Sequence, residues 1–375
     1  MANLEIIIDG DGHIFEDMVE LRKHLPYPLN KTNVTQTLSV FPQIDHIHHG
    51  LGMNPPDTFG IGSDGVFRNP GVPGWHEFME KAGIESTVVY PTAALGYGRM
   101  TDVDYAILAC RAYNDWLAEA YVQNDSRFNG VALLPMQEPQ AAVEELRRAV
   151  NDLGMVGAML PSTGLKSPLG DPEYWPVYAE AERLGCAMAI HGGAHQDLGM
   201  NTMNKVGPIH AIGHPTGIII NFGSMIFNGV FDRFPTLKVG FLEAGVSWLL
   251  VALERFSGSY HAVEPFPPSN GFPYRPHMDL HAGEEAADYV KRLIKQGNIF
   301  IGVEGDELTL AFAVKEVGPE PFIYSSDFPH EVNIHTVRDE IQELLDNEEL
   351  TAEEKEGILH KNSQKFYGLT PVAAV

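Results

Sequence analysis

The sequence predicts an α/β fold, a single (β/α)8 barrel of the TIM type over residues 1–375, with long insertions after its first and sixth strands. Three observations carry that prediction. Eight short apolar runs recur along the chain, separated mostly by segments of helical pattern, as expected for parallel strands buried on both faces. The first run leads into carboxylates, "IIIDGDGHIFED" at 6–17, where a doubly wound open sheet would usually carry a Gly-rich phosphate loop. No internal repeat or Pro/Ser linker divides the 375 residues, and single barrels reach this size.

The elements follow in order. The first strand is expected at 4–9, and the stretch 17–82 behind it, rich in Pro, Gly and His, is too long for a simple loop. A second strand at 86–91 precedes "TDVDYAILACRAYNDWLAEAYVQ", in which Thr101 and Asp104 resemble a capping box and Ile107, Cys110 and Leu117 recur at helical spacing. After the third strand at 129–134, Pro139 opens a helix with Val143, Leu146, Val150 and Leu153 on one stripe, and Gly154 stops it. The fourth strand, 155–160, leads to a helix with Asp171 as N-cap, Pro172 in its first turn and Gly185 at its end. Strands at 186–191, 238–243, 299–303 and 322–326 complete the set, and Thr351 with Glu354 offers a capping pair for the last helical region. The second insertion is 257–285, containing "EPFPPSNGFPYRP". In a barrel both insertions would overhang the C-terminal rim, where loops build pockets.

Composition narrows the functions. With 50 acidic against 25 basic residues the net charge is -25, and no Lys/Arg-rich stripe appears, so nucleic acid and anionic membrane surfaces are not expected partners. The two cysteines, Cys110 and Cys186, lie in apolar segments, which argues against a disulfide framework and for a reducing compartment. The first residues lack the pattern of a signal peptide and no run is long enough to span a bilayer, so a cytoplasmic location is expected.

Chemistry concentrates at the strand ends. Asp11 and His13, spaced i and i+2, present side chains to one face of an extended segment. His191 ends the fifth strand in "AIHGGAH", Glu243 the sixth in "GFLEAGVSW", and Asp327 with His330 the eighth in "YSSDFPH". Convergence at one rim makes the signal specific. Asp11, His13, His191 and Asp327 form a mixed O/N set suited to Zn, Fe or Mn. If Glu16 or Glu243 also reaches the site, the carboxylate-rich set would suit two ions, with iron or manganese favoured. Substrate contacts are expected from His48 in "FPQIDHIHHG", from Glu304 in "VEGDE" and from His330. His195 and His214 receive no ligand role.

The segments "DGDGHIFE", "RAYNDWLAE", "RFNGVALLPMQEPQAAVEELRRAV", "YWPVYAEAERLGCAMAIHGG", "VFDRFPTLKVGFLEAGVSW" and "YSSDFPH" together resemble the amidohydrolase-related family. That family includes aminocarboxymuconate-semialdehyde decarboxylase, resorcylate-type decarboxylases and hydrolases. The resemblance implies a metal-binding barrel, with the first-strand H-x-H or E-x-H pair falling on Asp11 and His13, the fifth-strand ligand on His191 and the eighth-strand ligand on Asp327. Two departures stand out: Asp11 replaces the first His or Glu of the pair, and Glu243 stands where the decarboxylases carry an acid/base His.

The expected function is therefore a metal-dependent hydrolase that turns an activated water on a small organic substrate, with Asp327, His191 and Glu243 as catalytic groups. Three alternatives stay open: a non-oxidative decarboxylase of an aromatic or unsaturated acid, a dinuclear iron or manganese hydroxylase using O2, and a metal-containing scaffold subunit of a complex. Long aromatic loops point to an oligomer, of identical chains or with a related subunit.

Overall fold

The computed structural model describes residues 6–31, 70–193, 195, 198–264, 278–330 and 332–370. Its strands are β1 (Ile8–Ile14), β2 (Ser86–Pro91), β3 (Phe128–Leu133), β4 (Gly157–Pro161), β5 (Ala187–His191), β6 (Lys238–Phe241), β7 (Ile299–Val303) and β8 (Phe322–Tyr324). They pair in parallel in chain order from β1 to β8. The β1/β8 seam is bridged just past β8, where the Asp327 N–H donates to Asp11 O at 2.9 Å and the His13 N–H donates to Phe328 O at 2.6 Å. This is the expected (β/α)8 architecture.

The helices are α1 (Met18–Lys23), α2 (Gly71–Ala82), α3 (Val103–Leu117), α4 (Pro139–Asp152), α5 (Trp175–Leu184), α6 (Val206–Phe227), α7 (Val230–Arg233), α8 (Ser247–Val263), α9 (Ala286–Gln296), α10 (Leu310–Val317), α11 (Ile334–Asp346), α12 (Ala352–Glu356) and α13 (Asn362–Tyr367). Local chemistry sets their ends. Asp171 accepts the Glu173 N–H at the 3-10 turn that leads into α5, whose end is a left-handed Gly185. Thr351 and Glu354 make the expected reciprocal capping box. The start of α3 is corrected by one residue: Asp102, not Thr101, accepts the Tyr105 N–H. Among the described residues no helix is long and apolar enough to cross a membrane.

Three further sequence expectations change. The first strand lies at Ile8–Ile14 rather than 4–9, so its polar residues stand inside the barrel wall instead of beyond it. The insertion expected at 17–82 carries α1 and α2, with 32–69 outside the described residues. The one expected at 257–285 begins within α8, and 265–277 lies outside the described residues.

Helix α2 positions the site from outside. Its Trp75 is fully buried, packs edge-on against Phe78, Phe128 and Phe328, and donates its indole N–H to His13 O at 3.2 Å. Gly12 makes this approach possible, because a Cβ there would stand 2.5 Å from the Trp75 ring and 2.6 Å from both Asp9 Oδ2 and Thr87 Oγ1.

Candidate metal centre

β1 carries a bulge. Asp9 pairs with Thr87 but Gly12 with Val89, so three residues of β1 advance against two of β2. The extra residue shifts the alternation: Asp9 and Gly12 share the face of Thr87 and Trp75, while Asp11 and His13 meet across the other, with Asp11 Oδ1 3.7 Å from His13 Nε2. Both are buried. His13 donates its Nδ1–H to Pro91 O at 2.7 Å, which turns Nε2 inward as an acceptor.

The other donors come from across the barrel. His191 ends β5 with Nε2 at 3.3 Å from Asp11 Oδ1. Asp327 follows β8, with Oδ1 3.4 Å from His13 Nε2 and 2.8 Å from His330 Nδ1. Glu243 follows β6 with Oε2 3.2 Å from His191 Nδ1 and 3.1 Å from His214 Nδ1. Asp327 and Glu243 are the two described non-glycine residues in the left-handed region, at φ 53° and 55°. Strained conformations of this kind cost of order 1–3 kcal/mol and persist where surrounding contacts over-determine them.

The donor chemistry fits a divalent cation. Both carboxylate oxygens of Asp11, Nε2 of His13 and Nε2 of His191 are buried without a hydrogen bond among the described residues. Left so, each would cost about 1–3 kcal/mol of desolvation, and shared coordination removes that cost. Asp11, His13 and His191 place ligand atoms within 4.8 Å of one another, and so do His13, Glu243, Asp327 and His330.

Charge couples the same groups. Burial pushes the Asp11 carboxyl up, and His191 opposes that. Burial disfavours charge on His191, yet Asp11 and Glu243 outweigh it and push its pKa up to about 10. Burial would also raise Glu243, but His214 and His191 hold it well below the usual carboxylate range. Burial, with His330 and His191 beside it, keeps His13 well below an ordinary imidazole and therefore neutral, as a ligand must be.

Some sequence-predicted residues lie elsewhere. Glu16 is corrected: its Oε2 and Oε1 accept the Ala93 and Ala94 N–H groups at 2.9 Å each, so it caps the 3-10 turn Ala93–Arg99 and joins neither donor group. Glu304 is exposed on the loop after β7, where its N–H donates to Glu307 Oε1 at 3.0 Å. His48 lies outside the described residues. His330, expected to touch substrate, stands in the second donor group, its ring stacked on His13 at 4.0 Å and its Nε2 3.0 Å from Thr92 Oγ1.

His214, given no ligand role from the sequence, stands in neither donor group but touches a member of one of them. It projects from α6 to Glu243, and its Nε2 lies 3.0 Å from His195 Nε2. Its signal was a pair of histidines at i and i+4, His210 and His214, in a helix that contains no Asp, Glu, Lys or Arg.

Comparison with known proteins agrees with this architecture. The family model described as amidohydrolase matches residues 8–369. The chain is 28% identical over 284 residues to 2-amino-3-carboxymuconate-6-semialdehyde decarboxylase of Dictyostelium discoideum, covering 76% of this chain and 73% of that one. It is 25% identical over 305 residues to gamma-resorcylate decarboxylase of a Polaromonas species, covering 78% and 85%. The crystal structure of 5-carboxyvanillate decarboxylase from Novosphingobium aromaticivorans, with bound manganese, superposes with a TM-score of 0.69 at 16% identity over 97% of both chains. With the family model spanning nearly its whole length and donors gathered from β1 and from the ends of β5 and β8, the chain belongs to the amidohydrolase family.

Proposed function

We propose that this protein is a divalent-metal-dependent carboxy-lyase that removes a carboxyl group, without oxidation, from a small aromatic or unsaturated acid. The observation that carries the reading is the convergence of Asp11, His13, His191 and Asp327, with inward-facing atoms that otherwise lack hydrogen bonds on Asp11, His13 and His191. Decarboxylases among the relatives support this reaction better than the hydrolysis expected first, and the manganese of the neighbouring structure suggests the ion.

Asp11, His13, His191 and Asp327 would hold the metal, which as a Lewis acid would fix and polarise an oxygen of the substrate. Loss of CO2 leaves an electron pair on carbon that must receive a proton. Where a β6 histidine would serve, this chain has Glu243, its carboxyl held well below the usual range, with Oε2 3.1 Å from His214 Nδ1. The proton would then be held and moved by the Glu243–His214 pair, a strand-end carboxylate and a helix imidazole acting together in place of one strand residue.

A second reading rests on the number of donors. His13, Glu243, Asp327 and His330 form a second donor group that shares His13 with Asp11 and His191, so six donor residues surround the centre. Two iron or manganese ions on carboxylate and imidazole donors would suit oxidation by O2.

Metal analysis with product assays separates the two. Protein loaded with Mn2+ is incubated with gamma-resorcylate, 5-carboxyvanillate and related acids, and CO2 is measured beside O2 uptake. About one ion per chain with CO2 release and no O2 uptake supports the carboxy-lyase. About two ions with O2 consumption sinks it in favour of the oxygenase.

A further inference from the structure

Asp9 is fully buried and belongs to neither donor group. Its Oδ1 accepts the Ser326 N–H at 2.9 Å and the Asp11 N–H at 3.3 Å, and its Oδ2 accepts Ser326 Oγ–H at 2.9 Å and Thr87 Oγ1–H at 2.7 Å. Ser326 Oγ in turn accepts the Phe328 N–H at 3.1 Å. Between those two anchored residues lies Asp327, left-handed at φ 53°, its own N–H on Asp11 O. One carboxylate thus grips the backbone of β1 at Asp11 and the segment 326–328 past β8, on both sides of the seam.

We propose that Asp9 is the positioning residue of the metal centre: it sets the spacing between Asp11 and Asp327 and holds Asp327 in its left-handed conformation. Three features support this. A carboxylate used only to fill the core would be replaceable by apolar side chains, often without loss of stability, whereas all four contacts here have a directional purpose. Gly12 has no side chain at the position where a Cβ would collide with Asp9 Oδ2, so the strand is shaped around this group. The β1 bulge turns Asp9 away from Asp11 and lets the two carboxylates serve different faces.

The inference rests on the metal-centre reading but not on which reaction the centre performs. The test uses full-length protein stripped with chelator, with Mn2+ binding followed by electron paramagnetic resonance and thermal unfolding of the metal-free form measured in parallel. Asp9→Asn and Ser326→Ala should weaken Mn2+ binding about 10- to 100-fold and broaden or shift the bound-ion spectrum, as loss of outer partners of ligands does. Thr87→Val, which touches Asp9 but not 326–328, should stay within about threefold of the parent.

If Asp9→Asn and Ser326→Ala lower the unfolding temperature yet bind Mn2+ like the parent with an unchanged spectrum, Asp9 is a structural staple and the proposal falls. Should Asp9→Asn fail to fold, Ser326→Ala alone decides. A parent protein that binds neither Mn2+, Zn2+ nor Fe2+ overturns the metal-centre reading, and this inference with it; a parent that binds while the variants do not differ overturns the inference alone.

Discussion

Asp11 Oδ1 stands 3.3 Å from His191 Nε2, although Asp11 belongs to β1 and His191 to β5, four strands away in a sheet of eight. Two buried groups brought across a barrel without a strong hydrogen bond between them are placed for something that binds both. Asp11→Ala should therefore abolish stoichiometric metal binding, while Asp11→Asn, which keeps one oxygen, should retain it weakly. Elemental analysis after gel filtration checks this, and an Asp11→Ala protein with full metal content would remove Asp11 from the ligand set.

Glu16 gives the opposite expectation. Its oxygens are taken by Ala93 and Ala94, so Glu16→Ala should keep the metal but leave two N–H groups without their acceptor, lowering stability by about 1–3 kcal/mol. Urea denaturation beside metal analysis distinguishes this from a ligand. Loss of an ion in Glu16→Ala would restore the role first expected of it.

Much of this was legible in the sequence, for a physical reason. Strands covered on both faces must be apolar, so β2 to β8 announce themselves as runs, and ligands at strand ends interrupt those runs. β1 announced only its start, expected at 4–9, and its continuation to Ile14 was hidden because its buried Asp9 is satisfied by Thr87 and Ser326, 78 and 317 residues away in the chain. Glu16 misled for the same reason, its partners lying 77 and 78 residues on. The Glu243–His214 contact joins the end of a strand to the side of a helix, and no local periodicity encodes it.

Stability in acid should depend on Glu180 in α5. Its Oε1 accepts from Arg147 Nε at 2.8 Å and Arg183 NH2 at 2.6 Å, and its carboxyl is held down to about 2, chiefly by Arg183. The folded pKa lies below the ordinary value, so the stabilisation is present above about pH 4.5 and is lost as pH falls toward 2. Both arginines are more than half exposed, at 51% and 57%, which discounts the gain to about 1 kcal/mol. The double variant Arg147→Ala/Arg183→Ala should be less stable than the parent by that amount at pH 7, with the gap closing by pH 2 to 3. A gap independent of pH in chemical denaturation would mean that packing, not the ion pairs, was lost.

The proton-carrying pair is the sharpest place to test the carboxy-lyase reading. Gly192 follows His191, and a Cβ there would stand 1.9 Å from His214 Nδ1 and 2.5 Å from Glu243 Oε2, closer than real contacts allow. Gly192→Ala must therefore displace the His214 ring and the Glu243 carboxylate, and metal content checks that His191, whose Nδ1–H donates to Gly192 O at 2.8 Å, keeps its place. His214→Gln removes the imidazole itself and leaves Glu243 and His191 in contact. Both variants should keep their metal, and both should lose turnover by about 10²- to 10⁴-fold, the usual contribution of a positioned acid/base group. The loss should fall on kcat more than on KM, because substrate held at the metal does not depend on His214. In D2O the parent should place deuterium at the carbon that lost its carboxyl group, and added imidazole should recover part of the rate of His214→Gln. Full activity in Gly192→Ala would show that the Glu243–His214 contact does no work in proton transfer, and the donor would then have to be sought among His330 and Asp327 beside His13.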